Sequence, residues 1–139
     1  MADNSLFEAD AFSVGPRGRT GMAIHEVDSC TKQVNLGAAL LNLSVPWEPA
    51  TIARFNGSEV MVVKAKGTYP WHKHEDSDDF FFVLKGKLTI EMRDRCVHLA
   101  PGELFIVPRG VEHRPVADED AYFMLIEPPG TDNEGTTLL

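Results

Sequence analysis

The chain has 139 residues, 43% hydrophobic and 24% charged, a composition typical of a globular protein rather than a disordered one. Thirteen Lys and Arg residues against twenty-one Asp and Glu residues give a net charge of −8, so the surface should repel phosphate backbones and anionic headgroups. We therefore expect no nucleic-acid partner and no membrane partner. The two cysteines, Cys30 and Cys96, fit neither a disulfide framework nor a zinc finger, which favours a cytoplasmic protein.

The N-terminal third is predicted to contain a flexible arm and a single helix. Glycine and proline interrupt any period in residues 1–30, which we interpret as the arm. Over 31–45 apolar residues recur at helical spacing, which predicts the helix. These residues are Val34, Ala38, Leu41 and Val45. Asp28 or Ser29 could cap the start of this helix, and Pro46 would end it.

From Thr51 onward short apolar segments alternate with turn residues, which predicts an all-β structure. The predicted strands are 59–66, 79–84, 88–92, 96–99, 104–107, 111–116 and 121–127, with 118–120 as a turn. Short strands at this spacing favour a barrel or a sandwich. Pro128-Pro129-Gly130 ends the series, so we expect one domain over 31–128 and a polar, frayed tail over 129–139.

Three histidines and one aspartate are candidate metal ligands. His72 and His74 are two positions apart, so on an extended chain both imidazoles project from the same face. Asp79 opens the next apolar strand, and His113 lies on a later strand after a turn. Three neutral imidazoles and one carboxylate would make a mixed nitrogen and oxygen site that leaves positions for water or substrate.

The spacing of these residues resembles the two motifs of the cupin family. The first motif, G-x5-H-x-H-x3/4-E-x6-G, is matched by Gly67, His72, His74, Asp79 and Gly86, with one residue fewer between the glycine and the first histidine. The second, G-x5-P-x-G-x2-H-x3-N, is matched by Gly102, Pro108, Gly110 and His113, with Ala117 in place of the final Asn. The short spacing between the motifs is similar to that of small prokaryotic cupins, including those named mannose-6-phosphate isomerase-like.

The resemblance implies a double-stranded β-helix, the cupin jelly-roll barrel, here with one N-terminal helix. It also implies that His72, His74, Asp79 and His113 bind one divalent metal ion, Fe, Mn, Ni or Zn, at the barrel mouth. Asp79 is one methylene shorter than the family's Glu. A site of three histidines, with water in the place of the carboxylate, therefore stays open.

Three further residues are candidates for binding a substrate or ligand. Arg109 precedes His113 and could reach an anionic group, whereas Trp71 and Phe81 lie beside the histidine strand and on the Asp79 strand. Phe80 and Phe82 should point outward, and with the family resemblance they predict a homodimer.

The function suggested by the resemblance is an enzyme that acts on a small organic molecule, of the dioxygenase or the isomerase type. No general base can be identified from the sequence, so the catalytic residues stay unknown. The alternative is a non-enzymatic cupin that binds or senses a small ligand. A structural or storage barrel is the third reading, and the metal motif argues against it.

Overall fold

The computed structural model describes residues 32–128 and 136–139. The predicted arm over 1–30 and both proposed capping residues lie outside this part of the chain. The elements in order are helix α1 (Leu36–Leu41) and strands β1 (Ala50–Phe55), β2 (Ser58–Thr68), β3 (His72–His74), β4 (Asp79–Lys85), β5 (Leu88–Met92), β6 (Cys96–Leu99), β7 (Leu104–Val107), β8 (His113–Glu127) and β9 (Thr136–Leu138).

The helix is shorter than the predicted span of 31–45. It begins at Leu36 because the side chain of Asn35 accepts a hydrogen bond from the backbone N–H of Ala38, and it ends at Leu41. Leu41 is 86% exposed, so the apolar spacing is not used for packing. Since helices of this length gain little stability from local bonds alone, an unpacked apolar face explains the short helix.

Strand β8 holds the fold together because it pairs with four other strands. Its first half, 113–117, pairs with β3, β5 and the end of β2, and its second half, 121–127, pairs with the rest of β2 and with β4. Strands β1, β6, β7 and β9 extend these pairings as neighbours of β2, β5, β4 and β3. All pairs are antiparallel, and the chain forms the double-stranded β-helix that the resemblance implies.

The two predicted strands 111–116 and 121–127 are one continuous strand. Residues 118–120 were expected to form a turn, but they belong to β8 and bulge outward opposite Lys66, where the register with β2 shifts. Gly86 packs against this bulge with a positive φ. A Cβ there would lie 2.7 Å from the carbonyl oxygen of Asp120, so only glycine fits.

Alternation along the strands builds a core between the two halves of the barrel. The most buried side chains point inward from β2, β4, β5 and β8, and they include Val63, Val83, Ile90 and Phe123. Burying each such side chain contributes roughly 1.5–3 kcal/mol. This core fixes the strands whose ends carry the candidate ligands.

Part of the tail predicted to be frayed is ordered as a strand. Thr136–Leu138 form β9, which pairs with all three residues of β3. Strand β3 therefore lies between β8 and β9. His72 is thus paired on both edges, and His74 is paired with β9 while its carbonyl accepts a hydrogen bond from the backbone N–H of Gly110.

Candidate metal centre

The strand pairings place the three histidines side by side. His72 on β3 is the direct cross-strand partner of His113 on β8, and their ring centroids are 4.3 Å apart. His74 lies two residues further along β3 on the same face, while Lys73 between them points outward to Glu75. All three imidazoles are buried, with 5% exposure or less.

Asp79 completes the group, because it opens β4 on the inner face of the barrel. Its Oδ2 atom lies 2.8 Å from Nε2 of His113, 3.1 Å from Nε2 of His74 and 3.8 Å from Nε2 of His72. The four potential ligand atoms lie within 4.8 Å of one another. Asp79 therefore reaches the histidines although it is one methylene shorter than Glu. The sequence alone had left this question open.

Burial alone would raise the pKa of the Asp79 carboxyl. The hydrogen bonds from His113, His72 and His74 have the opposite effect, and together they hold this pKa below its ordinary value. Asp79 is therefore an ionised, buried carboxylate at neutral pH, which is the form that binds a metal ion.

The hydrogen bonds of His113 provide a test of whether these residues suit a metal ion. Its Nδ1 donates to the carbonyl of Val111 at 2.8 Å, while its Nε2 faces the Asp79 carboxylate, so both nitrogens point at acceptors. A neutral imidazole carries one proton and can donate only once. Either a second proton on the ring or a cation between Nε2 and the carboxylate satisfies both groups, and a divalent metal ion is such a cation.

The distances agree with this interpretation. Ligands bound about 2.0–2.2 Å from one ion lie about 3 Å apart at right angles, close to the two shorter separations measured from Asp79. His72 likewise donates from Nδ1 to the carbonyl of Pro70 at 2.9 Å, which fixes its ring and directs Nε2 at the group. The four residues therefore fit a divalent metal ion.

A cavity of about 180 Å³ adjoins the four residues. Its walls are largely apolar and aromatic. They are formed by Trp47, Pro49, Val63, Tyr69, His72, His74, Asp79, Phe81, Pro115, Phe123, Leu125 and Glu127. None of these lining residues is a lysine or an arginine. The arrangement can hold a small molecule beside a metal ion, between walls that are mostly apolar.

Trp47 forms one wall of the cavity from an unusual backbone conformation. Its φ is +66°, in the left-handed region that bulky side chains rarely adopt. Two hydrogen bonds hold it there, from its backbone N–H to the carbonyl of Lys64 and from Nε1 to the carbonyl of Lys66. Its ring then lies 5.4 Å from that of Tyr69 and 6.5 Å from that of Phe123.

Of the three residues predicted to bind a substrate, the structure brings only Phe81 to the cavity. Arg109 is exposed and lies beside Asp78, with Nε 3.6 Å from the carboxylate. Trp71 packs under the guanidinium groups of Arg93 and Arg114, at 3.8 and 4.9 Å from its ring centroid, and does not line the cavity.

Sequence reasoning missed Glu127, a buried carboxylate in the same cavity. The signal was present, since alternation along 121–127 places Glu127 on the same face as Phe123 and Leu125. It was read only as the end of a strand. Trp47 was missed because it lies in a connection with no periodic pattern.

Comparison with known proteins identifies the class. Residues 59–127 match the Cupin_2 family, described as a cupin domain. A cupin-2 domain-containing protein from Shewanella frigidimarina NCIMB 400 is 38% identical, with a TM-score of 0.69 over 71% of this chain and 97% of that chain. This chain belongs to the cupin superfamily.

More distant matches carry less information. The uncharacterized protein YdbB of Bacillus subtilis (strain 168) is 35% identical over 65 residues, which cover 46% of this chain and 58% of that protein. Hydroquinone 1,2-dioxygenase PnpCD, in complex with Cd²⁺ and 4-hydroxybenzonitrile, has a TM-score of 0.61 at 19% identity, over 83% of each chain. The latter similarity shows a shared fold.

Among residues 32–128 and 136–139, no helix has the length and apolar character needed to cross a membrane.

Proposed function

We propose that this cupin is a metal-dependent enzyme that acts on a small organic molecule, with dioxygenase-type chemistry favoured. The observation that supports the proposal most is the convergence of three imidazoles and one carboxylate beside a cavity of about 180 Å³. Burying such a group costs free energy unless its members pair with one another or with an ion, and its mixed nitrogen and oxygen donors suit a divalent metal. Its position next to a cavity suggests that the bound species takes part in chemistry on a ligand.

The metal would be held by His72, His74, His113 and Asp79. We propose one Fe, Mn, Ni or Zn ion per chain, because imidazole and carboxylate donors suit all four. Bound there, such an ion supplies Lewis acidity and, if it is redox-active, one-electron chemistry with dioxygen. The carbonyl partners of His72 and His113 keep the two rings oriented, while the apolar walls exclude water.

The walls of the cavity favour a dioxygenase of an aromatic or similarly apolar substrate over a sugar-phosphate isomerase. The lining residues offer no cationic side chain for a phosphate, and Arg109, the candidate for that role, lies outside the cavity. Phe81 lies 6.0 Å from His113 and 5.4 Å from Phe123, measured between ring centroids. We propose that Phe81 packs against the substrate beside the metal.

The first test is elemental analysis of tag-free protein purified without chelator or nickel resin. We expect about one iron, manganese or nickel ion per chain, and oxygen uptake when catechol or hydroquinone is added. One zinc ion per chain without oxygen uptake would favour isomerase or lyase chemistry instead. Protein that contains no metal and binds none on titration would contradict the proposal.

The alternative is a cupin that binds or senses a small ligand without converting it. The same cavity and the same metal would serve this role. Ligand binding with a stoichiometric metal, but with no product after prolonged incubation with any of the screened substrates and dioxygen, would favour it.

A homodimer and a cytoplasmic location stay predictions. The outer face of β4 and β7 supports the dimer. Phe80 and Phe82 pair across the strands with Ile106 and Leu104, and the latter two are 44% and 51% exposed. Sedimentation of the native chain should give a dimer mass. Replacing Ile106 with Glu should shift the mass to that of a monomer.

A further inference from the structure

Glu127 is a buried acid in the cavity that does not belong to the metal group. It is the last residue of β8, it is 5% exposed, and it lines the same cavity as His72, His74 and Asp79. Among the described residues, the group whose ligand atoms lie within 4.8 Å of one another contains Asp79 but not Glu127. The cavity therefore has a second carboxylate that lies outside the candidate metal group.

The surroundings of Glu127 are unusual for a carboxylate. Its neighbours along the inner face of β8 are Leu125 and Phe123, and the residue opposite Leu125 on β2 is the buried Met61. Removing an acid from water among such side chains has a free-energy cost that hydrogen bonds must offset. A carboxyl group has two oxygens that each offer acceptor positions, so a partner within the protein leaves others for a ligand.

The remaining walls describe the shape of that ligand. Four aromatic rings face the cavity, from Trp47, Tyr69, Phe81 and Phe123. Its volume of about 180 Å³ is near the roughly 150 Å³ of an engineered cavity that binds benzene. Space of this size between aromatic rings suits one planar ring, with little room for a large substituent.

We propose that Glu127 is a substrate-binding residue that selects single-ring molecules carrying an O–H or N–H group, by accepting a hydrogen bond from that group. This inference rests on the proposed function, since it takes the cavity as the substrate site. It extends that function by assigning a substrate class and the residue that recognises it. An apolar ring of the same size could not form this hydrogen bond. It should therefore bind more weakly than its hydrophobicity alone would predict.

The test compares phenol with toluene, which has the same ring and no donor. Dissociation constants for both are measured by ligand-observed NMR on the metal-loaded protein, and the quantity of interest is the ratio of the toluene constant to the phenol constant. Glu127→Met removes the acceptor at similar length and should lower this ratio about 3- to 10-fold, because that is the range expected for the loss of one hydrogen bond. Glu127→Gln keeps a neutral acceptor and should give an intermediate ratio.

Glu59→Gln is the matched control. Glu59 lies directly across from Glu127 on β2, but its carboxylate pairs with Arg54 at 3.0 Å and does not line the cavity. This variant should leave the ratio unchanged. A purely structural role of Glu127 would alter stability or weaken both probes together, and would not change their ratio. If Glu127→Met does not fold, Glu127→Gln alone decides.

Metal content measured on the same samples separates the two proposals. Wild-type protein that binds no metal contradicts the proposed function. Protein that binds metal, but whose probe ratio is the same in wild type and both Glu127 variants, contradicts only the role of Glu127. Failure of both probes to bind the metal-loaded wild type at millimolar concentration would also overturn the inference.

Discussion

The two ends of the cavity are built in different ways. At the metal end, His72 and His113 are direct partners in a strand pair, and backbone carbonyls fix both rings. At the other end, the walls come from places that the motifs do not include: Trp47 lies in the connection before β1, and Glu127 is the last residue of β8. The pairing of β3 with β8 therefore positions the residues at the metal end, whereas the other end depends on the positions of individual side chains.

This difference separates two properties of the protein. Under the proposed function, the paired strands would determine whether an ion is bound, while the walls would determine which molecule lies beside it. A substitution at one end should therefore leave the property of the other end almost unchanged. The four predictions below test this separation, beginning with the largest expected effect.

Replacing His113 with Ala should abolish metal binding. His113 is the most buried of the four ligands and contacts Asp79 directly, so we expect metal affinity to fall by more than about 100-fold. The stabilisation that the metal provides should be lost as well, as a lower Tm. Metal analysis and calorimetry measure both effects. His98→Ala is the control, since His98 is exposed and its ring contacts Thr89, away from the four residues. Equal metal loss in both variants would contradict the site.

Replacing Asp79 with Asn should weaken metal binding without abolishing it. The change removes the negative charge but keeps one oxygen near the imidazoles, so we expect a loss of about 10- to 100-fold in affinity. Competition with a chelator of known affinity measures it. The neighbouring Asp78 bonds to the backbone N–H of Arg109 instead, so Asp78→Asn should retain full affinity. Unchanged affinity in Asp79→Asn would leave a site made of three histidines.

Replacing Trp47 with Leu should change ligand binding and leave metal content unchanged. Loss of the ring contacts should weaken phenol binding about 3- to 10-fold, the range expected for one aromatic pair. The matched control is Trp71→Leu, because this tryptophan packs against Arg93 and Arg114 outside the cavity. Weaker metal binding in the Trp47 variant would show that the two ends are coupled.

Replacing Arg109 with Ala should have the smallest effect. The side chain is exposed and its pairing with Asp78 is solvent-screened, so the free energy of unfolding should change by at most about 0.5 kcal/mol. Affinity for phenol should stay within twofold of wild type, by the same NMR titration. A larger loss of affinity would show that Arg109 contributes to ligand binding.

The fold and the convergence of the four candidate metal ligands could be predicted because both depend on spacing. Two histidines at i and i+2 on a strand must share a face, and the glycines and proline of the motifs mark the turns that bring His113 opposite them. The helix predicted over 31–45 was wrong in length, because apolar spacing does not reveal whether a helix face packs against the rest of the protein. The face that carries Leu41 is exposed. The break between 111–116 and 121–127 was wrong because a bulge and a turn have the same polar residues.

The ligand walls could not be predicted in this way. Trp47 takes its place through its φ and two hydrogen bonds to carbonyls of β2, and neither leaves a pattern in the sequence. The inward orientation of Glu127 could have been predicted from the alternation along 121–127. Its importance became visible only when the cavity between β4, β8 and the connection before β1 was known.

The backbone at Trp47 has a consequence for the evolution of this protein. A left-handed position costs a large residue about 1–2 kcal/mol relative to glycine, and at Trp47 the hydrogen bond from Nε1 to Lys66 and the ring contacts with Tyr69 and Phe123 offset that cost. A tryptophan persists at such a position only while its ring is useful. In cupins that share this connection but bind other molecules, position 47 is where we expect the ring to disappear first, well before any histidine changes.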